Sequence, residues 1–262
     1  MRRGLAIALG LVLALPALPA GACAIDPYMN TVFPDSLTLD MTGKSQIYRV
    51  WFDHPSDLYD HRILGREAEP DRLFVQFAPD SNDCGSAVAA GEGHVFEDTA
   101  PRLADLDGDG ENEVIVVRSS ITRGAQLAVY GIKGGSFGLI AATDYIGQPN
   151  RWLAPAGIAD FDGDGQVEIA YVDRPHLLGD LVYVRLEGRT LREIARMPGV
   201  TNHRIGDSFI SGGARNCGQG SELVLASKDW TRLLVVTWDK RPVAQDAGAF
   251  SKAALQAALD CR

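Results

Sequence analysis

From about residue 65 onward the chain alternates short apolar runs with clusters of Gly, Pro and Asp. Val114–Val117, Leu127–Ile132, Leu139–Thr143, Ile169–Val172, Leu181–Leu186 and Leu233–Trp238 are rich in β-branched or aromatic residues. Runs this short, bounded by turn-forming residues, predict strands rather than helices. One segment reads differently. Ser251 precedes Lys252–Asp260, in which Leu255 and Leu259 lie one turn apart. A short helix capped by Ser251 is expected there, packed on the last strands and tied down by Cys261.

The other end of the chain carries its own apolar pattern. Arg2 and Arg3 precede the nearly unbroken run Leu5–Leu15, and Pro16–Ala24 then closes with small residues. This is the pattern of a secretory leader, and the run is too short to span a bilayer as a helix. Cleavage after Ala22 is expected, with Ala24 as the alternative. A lipidated Cys23 is the less favoured reading, because Ala20 stands where Leu is usual. The expected location is periplasmic or secreted.

The polar clusters repeat. Pro101–Val117 contains Ala-Asp-Leu-Asp-Gly-Asp-Gly-Glu-Asn-Glu, and Ala156–Val172 contains Ala-Asp-Phe-Asp-Gly-Asp-Gly-Gln-Val-Glu, with Asp105 and Asp160 55 residues apart. A decayed copy runs from Gly213 to Glu222, and Gly65–Phe77 ends in a similar way through Glu69-Pro-Asp-Arg. His61-Arg-Ile and His203-Arg-Ile echo each other as lead-ins to the first and last copies. Three or four short strands per repeat of this length suit a propeller blade. The expected fold is all-β, a small β-propeller of about four to five blades with a short C-terminal helix. The expected division is a leader at 1–22, an N-terminal segment at 23–58, repeats at about 59–94, 95–149, 150–202 and 203–240, and a linker with the helix at 241–262.

Spacing inside the two clear copies points to metal chemistry. Asp105, Asp107, Asp109 and Glu113 stand at positions one, three, five and nine; Asp160, Asp162, Asp164 and Glu168 repeat this. Side chains at one, three and five of a tight loop converge, and the glycine at six allows a turn that offers the backbone carbonyl at seven, of Glu111 or Gln166. Four carboxylates so close repel one another unless a cation lies among them. Calcium takes six to eight oxygen ligands in flexible geometry, magnesium demands a near-octahedral shell, and zinc or copper favours the His or Cys that both loops lack. Two calcium ions are expected. The loops are not EF-hands: position twelve is Val116 or Tyr171, and the loops run into strands. In the decayed copy Ala214, Asn216 and Gly218 replace the first three ligands and Glu222 remains, so no tight calcium is expected there, and Cys217 is a candidate to replace the lost metal by a disulfide.

On these residues the chain resembles the FG-GAP/VCBS repeats of integrin α-chain propellers and secreted bacterial proteins. The resemblance rests on Ala104-Asp-Leu-Asp-Gly-Asp-Gly with Glu113-Val-Ile-Val, and on Ala159-Asp-Phe-Asp-Gly-Asp-Gly with Glu168-Ile-Ala-Tyr. It implies that each loop joins the first two strands of a blade and binds calcium. Integrin-type propellers have more blades than this chain has room for, so strands such as Ser45–Phe52 would have to complete a blade or form an extension.

Composition narrows the function. Removing Arg2 and Arg3 with the leader takes 25 basic residues to 23, against 34 acidic ones. Such a balance argues against nucleic acid or an anionic membrane as partner. Cys23, Cys84, Cys217 and Cys261 allow two disulfides in any of three pairings. His54, His61, His94, His176 and His203 show no metal-ligand spacing, and no nucleophile elbow, P-loop or dinucleotide fingerprint is present. The expected function is a non-catalytic, calcium-stabilised binding or scaffold protein of the cell envelope, a monomer with a protein or glycan ligand. The alternative is a secreted carbohydrate-active hydrolase or lyase. Convergence of Arg151, Asp173, His176 and His203 on one pocket would favour the enzyme. Asn150-Arg-Trp152 and Asn202-His-Arg204, one repeat apart, are expected to line a channel or pack between blades.

Overall fold

The computed structural model describes residues 32–78 and 84–262. The leader expected at 1–22, and Cys23, lie outside the described residues. Among the described residues four antiparallel sheets follow one another along the chain. The first holds β1 (Thr38–Leu39), β2 (Ile47–Ser56), β3 (Glu69–Phe77) and β4 (Gly85–Ala89). The second holds β5 (His94–Val95), β6 (Arg102–Ala104), β7 (Glu113–Ser120), β8 (Gly124–Lys133) and β9 (Ser136–Ala142). The third holds β10 (Leu153–Ala159), β11 (Glu168–Asp173), β12 (Asp180–Glu187) and β13 (Thr190–Pro198). The fourth holds β14 (Val200–Thr201), β15 (Gly213–Asn216), β16 (Ser221–Ser227), β17 (Arg232–Trp238) and β18 (Pro242–Ala249). The helix α1 (Lys252–Leu259) closes the chain, and Ser251 Oγ accepts from the Ala254 N–H as its cap. The architecture is a small, β-propeller-like succession of blades.

Period-two alternation explains the stacking. Side chains of a strand point alternately to its two faces, and both faces of the central strands are buried. On β7, Val114 and Val116 join the core shared with the first sheet, whereas Ile115 and Val117 join the core shared with the third. On β11, Ile169 and Tyr171 pack toward the second sheet and Ala170 and Val172 toward the fourth. Blades apolar on both faces read as continuous runs, which is why these strands were the legible ones. At the fourth sheet the pattern ends: Leu223 and Leu225 face the third sheet, but Val224 packs with Leu233 against Leu255 and Ala258 of α1. The helix therefore covers the face that a further blade would cover.

The first and fourth sheets approach through loops. The Gly206 N–H donates to the Ile63 carbonyl at 2.9 Å. Gly65 has φ +71°, and a Cβ there would lie 2.5 Å from the Gly206 carbonyl oxygen, so the contact needs glycine on both conformational and steric grounds.

Two expectations change, and the alternative left open for the N-terminal segment is decided. Glu69-Pro-Asp-Arg is not the end of a loop but the start of β3, with Glu69 paired to Ser56 inside the sheet. The connection between the first two strands of that sheet is 40–46, and the strand anticipated near Ser45–Phe52 is β2, so the N-terminal segment supplies half of the first sheet. At the other end, Pro242–Ala249 is an outer strand rather than linker; it is exposed along most of its length and carries no alternation for a sequence reading to detect.

Candidate functional site

β5 and β6 both pair with β7 as two pieces of one interrupted first strand, so each acidic loop joins the first and second strands of its blade, 105–112 between β6 and β7 and 160–167 between β10 and β11. The two are near copies. Asp105 accepts from the Gly108 and Gly110 N–H groups at 2.8 and 3.0 Å, and Asp160 accepts from Gly163 and Gly165 at 2.7 and 2.9 Å. Asp109 accepts from Glu111 N–H at 2.9 Å and Asp164 from Gln166 N–H at 2.8 Å. The closing glutamate reaches back to the loop: Glu113 accepts from Leu106 N–H at 2.9 Å, and Glu168 from Phe161 N–H at 2.8 Å. These Asx-type bonds hold the backbone in the turn and aim the carboxylates to one side.

Carboxylate oxygens of Asp105, Asp107 and Glu113 lie within 4.8 Å of one another, as do those of Asp160, Asp162 and Glu168. Asp109 and Asp164 stand outside these triplets and are exposed. All donors are hard oxygens with neither nitrogen nor sulfur among them, the chemistry that suits a calcium-class ion. Burial comes first in pushing the Glu113 carboxyl up to about 7, with Asp107 and Asp109 adding repulsion. Burial likewise raises Glu168. Glu111 has a second role that its sequence position does not suggest: its carboxylate accepts from Gln46 N–H at 2.6 Å and Ser45 Oγ at 3.1 Å, fastening the loop to the first sheet.

Two basic residues enter these clusters from the third strand of each blade. Lys133 Nζ donates to Asp107 at 3.1 Å. Arg185 donates to Asp162 at 3.1 Å, to Asp164 at 2.9 Å and to Glu168 at 2.8 Å through Nε. Sequence reading missed both, because they lie 17 to 26 residues from the acids they meet. In the decayed loop Arg215 pairs with Glu222 at 2.6 Å, and Cys217 is bonded to Cys261 beyond α1. Cys84 is also disulfide-bonded.

A second polar cluster lies at the opposite end of the strands. A cavity of about 240 Å³ is lined by His61, Asn150, Arg151, Trp152, Arg174 and His176, among others. His61 Nδ1–H donates to Glu97 at 2.6 Å, and Ser119 Oγ donates to the other Glu97 oxygen at 2.6 Å. Burial pushes the Glu97 carboxyl up, opposed first by the His61 hydrogen bond. Trp152 Nε1–H donates to the Glu97 carbonyl at 2.7 Å, and its ring packs edge-on against His203 with centroids 4.8 Å apart. The echoing lead-ins at His61 and His203 thus meet around Trp152. Of the residues named as an enzyme test, Arg151 and His176 share this cavity and His203 lies buried behind it. Asp173 does not join them: it opens on a neighbouring cavity and is held by Arg174 at 2.8 Å and Arg196 at 3.3 Å.

Among the described residues no helix is long and apolar enough to cross a membrane. No curated protein matches the chain. Residues 105–171 match the family model of the FG-GAP-like repeat, a span that opens on the first loop aspartate and closes within β11 after the second loop. With both loops placed between first and second strands of successive blades, the chain carries an FG-GAP-like repeat on a β-propeller-like fold.

Proposed function

We propose that this protein is an exported, calcium-binding β-propeller repeat protein that serves the cell envelope as a non-catalytic binding or scaffold module. The observation that carries the reading is the duplicated loop, in which three carboxylates converge twice with the same hydrogen-bond scheme. Asp105, Asp107, Asp109 and Glu113 with the Glu111 carbonyl would hold one ion, and Asp160, Asp162, Asp164 and Glu168 with the Gln166 carbonyl the other. The ion's chemistry is electrostatic: it neutralises charges that otherwise oppose the turn. The secretory pattern at 1–22 and the disulfides support export, since disulfides persist in oxidising compartments.

The hydrolase or lyase reading has less support. Two-carboxylate glycoside hydrolysis needs a pair of acids flanking the bond, and the described side chains lining the histidine cavity include no carboxylate. Scanning calorimetry with calcium and with EGTA tests the proposal. Chelation is expected to lower the melting temperature, since an ion bound only to the native state stabilises it by mass action. The Asp107→Ala plus Asp162→Ala double variant should lose that response. An unchanged melting curve in EGTA for the parent protein would end the calcium assignment.

A further inference from the structure

The histidine cavity has no part in the metal chemistry, yet its polar atoms are organised. The orientation of each imidazole follows from its hydrogen bonds. His203 Nε2–H donates to the Asp207 carbonyl at 2.8 Å, so His203 Nδ1 is an acceptor. That acceptor lies 3.0 Å from His176 Nε2, which must therefore carry a proton, leaving His176 Nδ1 with a lone pair. Burial, and then the His203 ring, hold His176 down to about 4, so it is neutral at ordinary pH. The neutral His61 tautomer that gives Nδ1–H to Glu97 has its lone pair on Nε2, an atom without a hydrogen-bond partner among the described residues. Two imidazoles of one cavity thus offer acceptor nitrogens, each fixed from behind by a buried partner.

The charge at the mouth has the opposite character. Arg151 donates only to the neighbouring Asn150 carbonyl at 2.9 Å and forms no ion pair among the described residues. Arg174 is already paired with Asp173, so Arg151 is the lining cation free for an external anion. Among the described residues no carboxylate lines the cavity, although acidic residues outnumber basic ones by 34 to 25 in the whole chain. Sulfate, which has no O–H to donate, would meet two imidazole lone pairs with its own oxygens, and a metal ion would sit beside an unpaired guanidinium. A molecule with hydroxyl donors and one carboxylate meets both requirements. Trp152, Ile63 and Leu177 supply apolar wall for its carbon skeleton. About 240 Å³ is below the roughly 300 Å³ at which drug-sized sites begin, and suits a single sugar-sized unit.

We infer that this cavity binds a small hydroxylated carboxylate of the sugar-acid type, with Arg151 on the carboxylate and His61 Nε2 and His176 Nδ1 accepting from hydroxyls. The inference deepens the reading of the chain as a binding module but does not depend on the metal.

The test is titration of the full chain with sodium glucuronate, followed by calorimetry and tryptophan fluorescence. Saturable binding with a Kd on the order of 1 mM or tighter is expected. Glucose, which lacks the carboxylate, and acetate, which lacks the hydroxyls, should each bind about tenfold more weakly or worse. Arg151→Gln should weaken glucuronate by about tenfold or more with an unchanged melting temperature, and Arg151→Lys should retain part of the affinity. Silence toward glucuronate, equal binding of acetate, or tight binding of Zn²⁺ in its place would each overturn the inference without any variant. Each titration is run in calcium and in EGTA. Glucuronate binding in a protein indifferent to EGTA would sink the calcium reading alone; silence in a calcium-responsive protein would sink the cavity alone.

Discussion

Arg185 on β12 stands directly across the strand pair from Glu168 on β11, and its guanidinium reaches Asp162 and Asp164 as well. The other acidic loop has a different neighbour at the equivalent place. Val114 pairs with Tyr130, so the register carries Glu113 opposite Gly131, where a Cβ would lie 3.5 Å from Glu113 Oε1. In one blade a buried guanidinium competes with any ion for the carboxylates; in the other the glycine brings no charged side chain, the space beside it is taken by the apolar Ile140, and the half-exposed Lys133 is the basic neighbour.

The two loops should therefore differ as calcium sites, the 105–113 loop being the tighter. Asp107→Ala is expected to remove most of the EGTA response in calorimetry, and Asp162→Ala to leave most of it. An equal loss from both would show that Arg185 does not discriminate. Arg185→Gln leaves Glu168 buried without its partner and should cost about 3–5 kcal/mol in EGTA, with much of that recovered in excess calcium.

The Glu69 carboxyl makes stability depend on pH. Burial raises it from 4.5 to about 8, with Arg66 opposing and Glu97 adding to the shift, and its Oε1 has no hydrogen-bond partner. The folded protein holds this proton more tightly than the unfolded chain. The associated stability is full below about pH 4 and declines as pH rises to about 8, at no more than about 1.4 kcal/mol per pH unit. Urea denaturation of Glu69→Gln at several pH values should lack this component. A parallel pH dependence in parent and variant would assign it to another group.

Reduction of Cys217–Cys261 should loosen α1 from the fourth sheet. The bridge spans 44 residues, for which chain entropy gives about 4 kcal/mol of stabilisation. Cys217→Ser plus Cys261→Ser is expected to lower stability by up to that amount and to speed amide exchange in 252–259 and β16 ahead of β7 and β8. Uniform acceleration across all sheets would mean that the helix is not a separable cover.

At the loop contact between the outer sheets, Gly65→Ala is expected to destabilise by more than about 1 kcal/mol. Its φ of +71° and the 2.5 Å approach to the Gly206 carbonyl act together. Ser251→Ala, which removes only the α1 cap, should cost about 1 kcal/mol. Chemical denaturation of the pair ranks the two effects, and a neutral Gly65→Ala would show that the contact can relax.

How far the chain was legible depended on whether interactions were local. Strands such as Val114–Val117 and Ile169–Val172 were visible because blades that pack on both faces need unbroken apolar runs. The converging acidic residues were visible because nine consecutive residues form each loop, and α1 because cap and stripe lie within one short segment. Strand β18 was not visible, being exposed along most of its length and free of alternation, and Glu69 resembled a loop acid until pairing with Ser56 placed it in β3.

Local order in the chain by itself determined that two loops carry converging carboxylates between strands, since spacing along a tight turn sets where such side chains point. Tertiary structure alone decided that Arg185 faces one loop and Gly131 the other, that α1 covers the fourth sheet, and that His61, Glu97, Trp152, His176 and His203 share one region. Those pairings join residues tens of positions apart, and cross-strand register and blade packing, rather than sequence neighbourhood, bring them together.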